Sequence, residues 1–187
     1  LGQHLRVEDE RGGGLDFENF GLWTRGDQDN GTLTQSTAQA RSGSRSAALE
    51  YDFPTADNDY VVFIQRHDIQ GQPNQLRLWV HGDGSGHYLN VWIVDDDNET
   101  WSVPFGRVTH QGWKEMIGRI DEDQKWPWGR VGGNGNNAVD YPIRFYALVL
   151  DDSPDTFTGT GTIYLDDLTA GAGQAASAPG AATSAPG

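Results

Sequence analysis

QLRLWVHGDGSGHYLNVWIVDDDNETWSVPF, residues 75–105, contains three segments in which apolar and polar side chains alternate. A period of two indicates half-buried β-strands. Gly and Asp residues at 82–86, and Asp and Asn residues at 95–98, favour tight turns between the segments. The stretch therefore predicts a three-stranded antiparallel meander with one aliphatic face in a core. The residues that we expect in that core, including two from a later strand, are Leu76, Leu78, Val80, Leu89, Val91, Ile93, Phe145 and Val149.

The remainder of the chain continues the same pattern of short alternating segments. We expect a first strand at 15–20 and a last one within 159–170, with no segment typical of a helix. This pattern predicts an all-β fold, a two-sheet antiparallel β-sandwich of the jelly-roll type, over residues 15–170. Residues 1–14 are interpreted as an N-terminal arm or linker, and residues 171–187 as an Ala/Gly/Ser/Pro-rich linker.

Composition excludes several classes of function. The chain has 187 residues and a formal net charge of -14, which argues against nucleic acid as a partner. It has no cysteine, so it has neither a disulfide framework nor a thiolate metal site. No apolar run approaches the roughly 20 residues of a membrane span. Because the sequence begins at Leu1 without a signal peptide, we interpret it as a mature product or an excised segment. The Ala/Gly/Ser/Pro-rich tail is typical of a linker in a modular secreted, extracellular protein.

The non-core face of the expected meander carries aromatic rings beside planar polar groups, where Lys, Glu, Thr and Ser would be usual. Sugars offer C–H faces for stacking and hydroxyls for hydrogen bonding, so rings flanked by Arg and Asn suit a glycan chain. The alternative is that the loop 124–142 covers these rings and forms a second, minor core. The candidate carbohydrate-binding residues are Arg77, Trp79, His81, Tyr88, Asn90, Trp92, Arg144 and Tyr146.

Several motifs, taken in order, resemble those of a known family. They are LDFENFG at 15–21, SGSRSAALEYDF at 42–53, the stretch 75–101, GWKEM at 112–116 and GTIYLDDLTA at 161–170. Together they resemble bacterial extracellular carbohydrate-binding modules, the calcium-containing jelly-roll modules found beside glycoside hydrolases and phosphodiester glycosidases. The closest in pattern are the β-glucan-binding modules. The resemblance implies a non-catalytic domain that binds a polysaccharide on a sheet face and holds a structural calcium ion.

Acidic residues near both ends of the expected domain are candidate calcium ligands. The first and last strands of a jelly roll often lie side by side, so carboxylates from both could share one hard cation with carbonyl oxygens of the turn 41–44. The resemblance favours Glu18 and Asp166 as ligands, with Asp16 and Asp167 in reserve. The alternative is that these are ordinary acids at strand ends. The Asp/Asn run 95–98 lacks the spacing of an EF-hand and is interpreted as a solvated turn.

The sequence does not predict an enzyme. The five histidines are not at zinc-ligand spacing, G-x-S-x-G is absent, and no paired-carboxylate strand motif is present. Two tryptophans, Trp126 and Trp128, lie in the long loop, where they could form a lip over a glycan groove or plug the end of the sandwich. The competing function is structural: a self-assembling subunit of an extracellular filament or surface layer, with the arm and an edge strand as pairing elements.

Overall fold

The computed structural model describes residues 5–6 and 15–172, and these form an all-β sandwich without a helix. The predicted fold class is confirmed. The predicted terminal linkers lie outside the described residues, apart from 5–6 and 171–172. The strands of the described residues are β1 Leu5–Arg6, β2 Thr24–Arg25, β3 Gly31–Ser36, β4 Ser46–Phe53, β5 Tyr60–Asp68, β6 Gln75–Asp83, β7 Tyr88–Val94, β8 Thr100–Arg107, β9 Gln111–Arg119, β10 Gly129–Gly132, β11 Arg144–Asp151 and β12 Gly159–Gly171.

Two antiparallel sheets face each other across one main core. The first sheet has the order β3-β4-β12-β6-β9, with β1 paired to the end of β12, and the second has the order β10-β8-β7-β11-β5-β2. Inward side chains of both sheets alternate along the strands and pack into a single apolar cluster. None of the described residues forms a helix long and apolar enough to cross a membrane.

The predicted three-stranded meander is wrong, because β6 and β7 lie in different sheets. β6 pairs with β12 and β9, whereas β7 pairs with β8 and β11. The Gly-rich segment between them does not close a hairpin: Gly84 N–H donates to His110 O (2.9 Å) and Gly86 N–H donates to Val108 O (2.8 Å). The segment therefore bonds to the β8–β9 connection, and both connections pass from one sheet to the other. The second turn, between β7 and β8, does close a hairpin as predicted.

Val149, one of the eight predicted core residues, lies outside the main core because of a bulge in β11. Against β7 the pairing shifts between Phe145 and Ala147, so Tyr146 is an extra residue on the outer side, whereas the shift against β5 leaves the extra residue on β5. Beyond it the faces exchange: Leu148 and Leu150 enter the main core, while Val149 joins a small outer cluster. The other seven expected core residues are fully buried in the main core. A one-residue insertion inverts each later side chain because the strand period is two.

The segment 15–20 is a turn, and the predicted first strand is wrong. Phe17 has φ +60°, a left-handed conformation that a strand cannot accommodate. Its ring is nevertheless buried, and Leu15 O accepts the backbone N–H of Leu168 (3.0 Å). The turn therefore packs against β12, the central strand of the first sheet, and alternation of Leu15 with Phe17 correctly indicated burial.

Candidate functional site

The eight predicted carbohydrate-binding residues lie on two opposite outer faces. Arg77, Trp79 and His81 alternate with core residues of β6 and project from the first sheet. The others lie on β7 and β11, in the second sheet. The single continuous face expected from the sequence does not exist, since its two halves belong to strands on opposite sides of the core.

The outer face of the first sheet already has protein partners for its polar and aromatic groups. Arg77 forms an ion pair with Glu115 (2.7 Å), and the Arg41 guanidinium lies 4.0 Å above the Trp79 ring. His81 is packed edge-on between two further rings, Trp113 at 5.3 Å and Tyr164 at 5.6 Å between centroids. Each of the three predicted residues on this face therefore has a partner within the protein.

The outer face of the second sheet carries a cleft of about 270 Å³. Its floor comes from β7 and β11, including Asn90, Trp92 and Asp151, and Tyr60 of β5 lines it as well. The segment 126–131 forms one wall. A concave apolar surface with a few polar groups is the ordinary form of a small-molecule or oligosaccharide site.

One row of this face places a carboxylate between two tyrosines. Asp151 is in register with Tyr60 on one side and with Tyr88 on the other. Burial, together with the nearby charges of Asp152 and Asp155, raises the pKa of Asp151 to about 6. Sequence reasoning missed Tyr60 and Asp151; their signal was the position of each at the end of a strongly apolar strand.

Asn90 is the most buried polar group of the predicted set. It is 5% exposed, and its Oδ1 atom has no hydrogen-bond partner among the described residues. Asp151 Oδ1 is likewise buried and unpaired. Buried polar atoms normally have partners, so two free acceptors that line one cleft indicate an absent donor.

Trp126 and Trp128 occupy different places, one at the rim of the cleft and one in the core. Trp126 is 70% exposed at the cleft, with its ring edge-on to Tyr88 at 5.5 Å between centroids. Trp128 is 7% exposed and stacks on Trp101 of β8 at 5.5 Å. Trp126 therefore forms the lip, and Trp128 closes the sandwich.

A smaller pocket of about 180 Å³ continues this face beyond the bulge. Arg144 and Tyr146 line it together with Arg66, whose guanidinium lies 5.3 Å from the Tyr146 ring centroid. Arg144 and Tyr146, on either side of the inward-facing Phe145, thus lie on the outer surface of the second sheet, on the same side as Trp92.

The loop that carries Trp126 is held by buried acids at the β7–β8 turn. Glu99 is fully buried and accepts from Arg130 (2.9 Å) and from the backbone N–H of Asn137 (3.1 Å). Asp95 is also fully buried and accepts from the Trp101 indole N–H (3.1 Å). The interpretation of 95–98 as a solvated turn is therefore wrong for Asp95. Oxygen atoms of Asp95, Glu99 and Asp140 lie within 4.8 Å of one another and could hold a metal ion.

The predicted calcium ligands lie at the opposite side of the sandwich, around the turn 41–45. Asp166 is fully buried and its Oδ2 accepts the backbone N–H groups of Arg41 (2.9 Å) and Ser42 (3.2 Å). Glu18 Oε1 accepts the N–H groups of Ser44 (2.9 Å) and Arg45 (3.0 Å).

The two reserve acids belong to the same region. Asp167 accepts the Ser42 hydroxyl (2.5 Å), and Asp16 accepts the Glu18 N–H (3.1 Å). Acids from both ends of the domain thus meet one turn, as the sequence predicted. These hydrogen bonds come from neutral donors, namely backbone N–H groups and the Ser42 hydroxyl.

Comparison with solved structures supports the sandwich. A family 11 carbohydrate-binding module from Clostridium thermocellum, solved with a β-1,3-1,4-mixed-linked tetrasaccharide, has TM-score 0.58 and 12% identity over 83% of this chain and 91% of that one. The family 11 module of a cellulosomal cellulase of the same organism has TM-score 0.56 and 8% identity over 90% and 94%. A carbohydrate-binding module of the β-sandwich superfamily has TM-score 0.55 and 14% identity over 88% and 71%. At these identities the likeness shows the fold.

Sequence comparison identifies the family. No curated protein sequence matches the chain. The family model described as flagellar filament outer layer protein FlaA matches residues 67–176, which is more than half of the chain and spans β6 to β12. The chain therefore belongs to the FlaA family of flagellar filament outer layer proteins.

Proposed function

We propose that this protein binds a polysaccharide chain in the cleft on the outer face of the second sheet. The observation that carries the proposal is the pairing of exposed rings with free acceptors in one concavity, namely Trp126 and Trp92 beside Asn90 and Asp151. Rings supply contact area to sugar C–H faces at small entropic cost, and the acceptors take hydrogen bonds from hydroxyls. The two family 11 carbohydrate-binding modules of similar fold support the same assignment.

The cleft is suited to binding without cleavage. Glycoside hydrolysis ordinarily requires two carboxyl groups, roughly 5 to 9 Å apart, on either side of the scissile bond. Among the described residues that line the cleft, Asp151 is the one carboxylate. We therefore propose a non-catalytic role, with a polysaccharide rather than nucleic acid or membrane as the partner, in an extracellular or surface setting.

A second candidate function is that of a structural subunit in the outer layer of a filament. Membership of the FlaA family favours this function, since that family is described as filament outer layer proteins. The matched residues include strands of both sheets. The outer face of the first sheet, with Trp79, Trp113 and the 43% exposed Ile117, offers a surface for self-assembly. The two functions use opposite faces and are compatible in one molecule.

Calcium remains a proposal, with Glu18 and Asp166 as its carboxylate ligands and Asp16 and Asp167 in reserve. At this site the turn presents backbone N–H groups to both carboxylates, so a cation would have to replace these hydrogen bonds with carbonyl oxygens of the turn. Burial raises the pKa of Asp166 to about 6, so a cation there would stabilise its ionised form. The alternative site for the ion is the cluster of Asp95, Glu99 and Asp140, whose oxygen atoms lie within 4.8 Å of one another, with Arg130 paired to Glu99.

Affinity electrophoresis through gels that contain single soluble polysaccharides tests the binding proposal. Retardation by at least one glycan, lost when free oligosaccharide is added, is the expected result. Size-exclusion chromatography with light scattering tests the second candidate on the same sample. A monomer that is retarded by glycan supports binding alone, whereas large assemblies without retardation in any gel would replace the cleft proposal with the filament one.

A further inference from the structure

Two side-chain oxygen atoms on the floor of the cleft lack a hydrogen-bond donor. Asn90 Oδ1 and Asp151 Oδ1 are both buried, and neither has a partner among the described residues. A buried acceptor without a donor is unfavourable, so a matching ligand must bring N–H or O–H groups to it. Asn90 and Asp151 occupy adjacent strands and are diagonal neighbours on one face, because Asp151 pairs with Tyr88 and Val149 pairs with Asn90.

The charges around the cleft also disfavour an anionic ligand. Asp151 lies near Asp152 and Asp155, whose charges act on it. Arg130 is the one basic side chain among the described lining residues, and it is bound to the buried Glu99 carboxylate at 2.9 Å. The whole chain has a formal charge of -14. A ligand with carboxylate or sulfate groups would therefore meet repulsion and bring further acceptors to a site that needs donors.

The rings determine where a sugar would lie relative to these acceptors. Tyr60 and Tyr88 flank Asp151 in register, and Trp126 stands edge-on to Tyr88 at the rim. A pyranose held against either tyrosine ring would direct its equatorial hydroxyls outward from its own edge, and the Asp151 carboxylate lies beside both rings. A neutral sugar supplies several such donors in any orientation.

We propose that the cleft selects a neutral, hydroxyl-rich glycan and rejects glycans that carry carboxylate or sulfate groups, with Asn90 and Asp151 as the acceptors that make this distinction. The proposal rests on the binding function proposed above and adds the class of glycan. It assigns to Asp151 a role in specificity, through its charge and its position between two tyrosines.

A paired titration tests the proposal. Wild-type protein is titrated by calorimetry with a soluble neutral mixed-linkage β-glucan and with polygalacturonate, at low ionic strength and pH 7.5. We expect binding to the neutral glucan at least tenfold tighter than to the polyuronate. Asp151→Asn should reduce this ratio at least threefold, because it removes the charge and retains the size. Asp52→Asn is the matched control, since Asp52 is an exposed residue of β4 in the other sheet and its substitution changes the net charge equally.

The possible results distinguish the selectivity for neutral glycans from the glycan-binding function on which it rests. Polyuronate binding as tight as glucan binding would overturn the selectivity and leave the binding function standing. Equal changes in the ratio for Asp151→Asn and Asp52→Asn would overturn the role of Asp151, because overall charge would then be responsible. Binding to neither polymer, nor to any glycan in the electrophoresis panel, would remove the binding function itself. Asn90→Leu, which deletes the other acceptor, should weaken glucan binding about tenfold if it folds.

Discussion

The rings of Tyr88 and Trp126 meet edge-on with 5.5 Å between centroids. Tyr88 belongs to the rigid floor of the second sheet, and Trp126 belongs to the loop between β9 and β10. The contact therefore ties an exposed loop residue to the sheet at the rim of the cleft. The Arg107 guanidinium also lies over the Tyr88 ring, 5.2 Å from its centroid.

Trp126→Ala should abolish most glycan binding and leave the fold intact. The side chain is 70% exposed, so its removal creates no cavity, and we expect the melting temperature to change by less than about 2 °C. Trp128→Ala is the control two residues away: Trp128 is 7% exposed and stacked on Trp101. It should cost about 3–5 kcal/mol, a fall of roughly 10 °C. Thermal denaturation and affinity electrophoresis give both readouts, and similar melting temperatures for the two variants would refute the division of roles.

Glu99→Gln should destabilise the protein by about 1–3 kcal/mol, because it leaves Arg130 without its buried carboxylate. Glycan binding should weaken as well, since Arg130 is part of the cleft wall. Glu115→Gln is a matched control on the opposite sheet, where the Arg77–Glu115 pair is about 28% exposed and its loss should cost less than about 1 kcal/mol. Urea denaturation measures both. Equal costs would contradict the anchoring role of Glu99.

His87 should make the fold sensitive to acid. It is fully buried, its Nδ1 accepts the backbone N–H of Ser153 (3.0 Å), and burial lowers its pKa below the ordinary 6.5. The unfolded chain therefore binds a proton before the folded chain does, so the stability from His87 is present above about pH 6.5 and is lost as the pH falls toward the folded-state pKa.

The comparison of wild type with His87→Gln isolates this contribution, because Asp151, with its pKa raised to about 6, acts in the opposite sense. The free energy of unfolding of wild type minus that of the variant should fall below pH 6.5, by up to about 1.4 kcal/mol per pH unit. Chemical denaturation at pH 7.5, 6.0 and 5.0 measures it. A constant difference across this range would show that His87 does not titrate differently in the two states.

Calcium should raise the melting temperature if Glu18 and Asp166 bind it. An ion at about 100 times its dissociation constant adds about 2.7 kcal/mol, which corresponds to roughly 5–10 °C for a domain of this size. Glu18→Gln should abolish the shift and Glu99→Gln should retain it. The melting temperatures are compared in calcium and in EDTA. If Glu99→Gln abolished the calcium-dependent rise in melting temperature and Glu18→Gln retained it, the ion would instead be bound by the acids of the β7–β8 turn. An unchanged melting temperature of the wild type in calcium and in EDTA would refute the proposal.

Alternation along the strands was sufficient to predict the fold class and most of the core. Leu76, Leu78, Val80, Leu89 and Ile93 are all fully buried. Partner strands were not predictable in the same way, because β6 and β7 would show the same pattern in one sheet or in two. The Gly-rich segment between them permits a tight turn without requiring one, and its amides bond instead to residues 108–110.

The candidate site was predictable in part for the same reason. Trp92, Asn90 and Tyr88 lie on the face that carries the cleft, while Trp79 lies on the opposite side of the core. Asp151 comes to the cleft through the register of β11, which depends on a bulge at Tyr146 that no local sequence signal marks. Binding residues that depend on sheet assignment and register need the structure.

The comparison of Trp92→Ala with Trp79→Ala tests the central claim most directly. Both residues are half-buried tryptophans within residues 75–105. Trp92 lines the cleft of the second sheet, and Trp79 lies beneath Arg41 on the first sheet. Each variant is checked by its melting curve and then titrated by calorimetry with the glycan that retards the wild type. The account predicts that Trp92→Ala weakens binding at least tenfold, while Trp79→Ala stays within about twofold of wild type. Loss of binding in Trp79→Ala with retention in Trp92→Ala would contradict it and place the glycan on the other face.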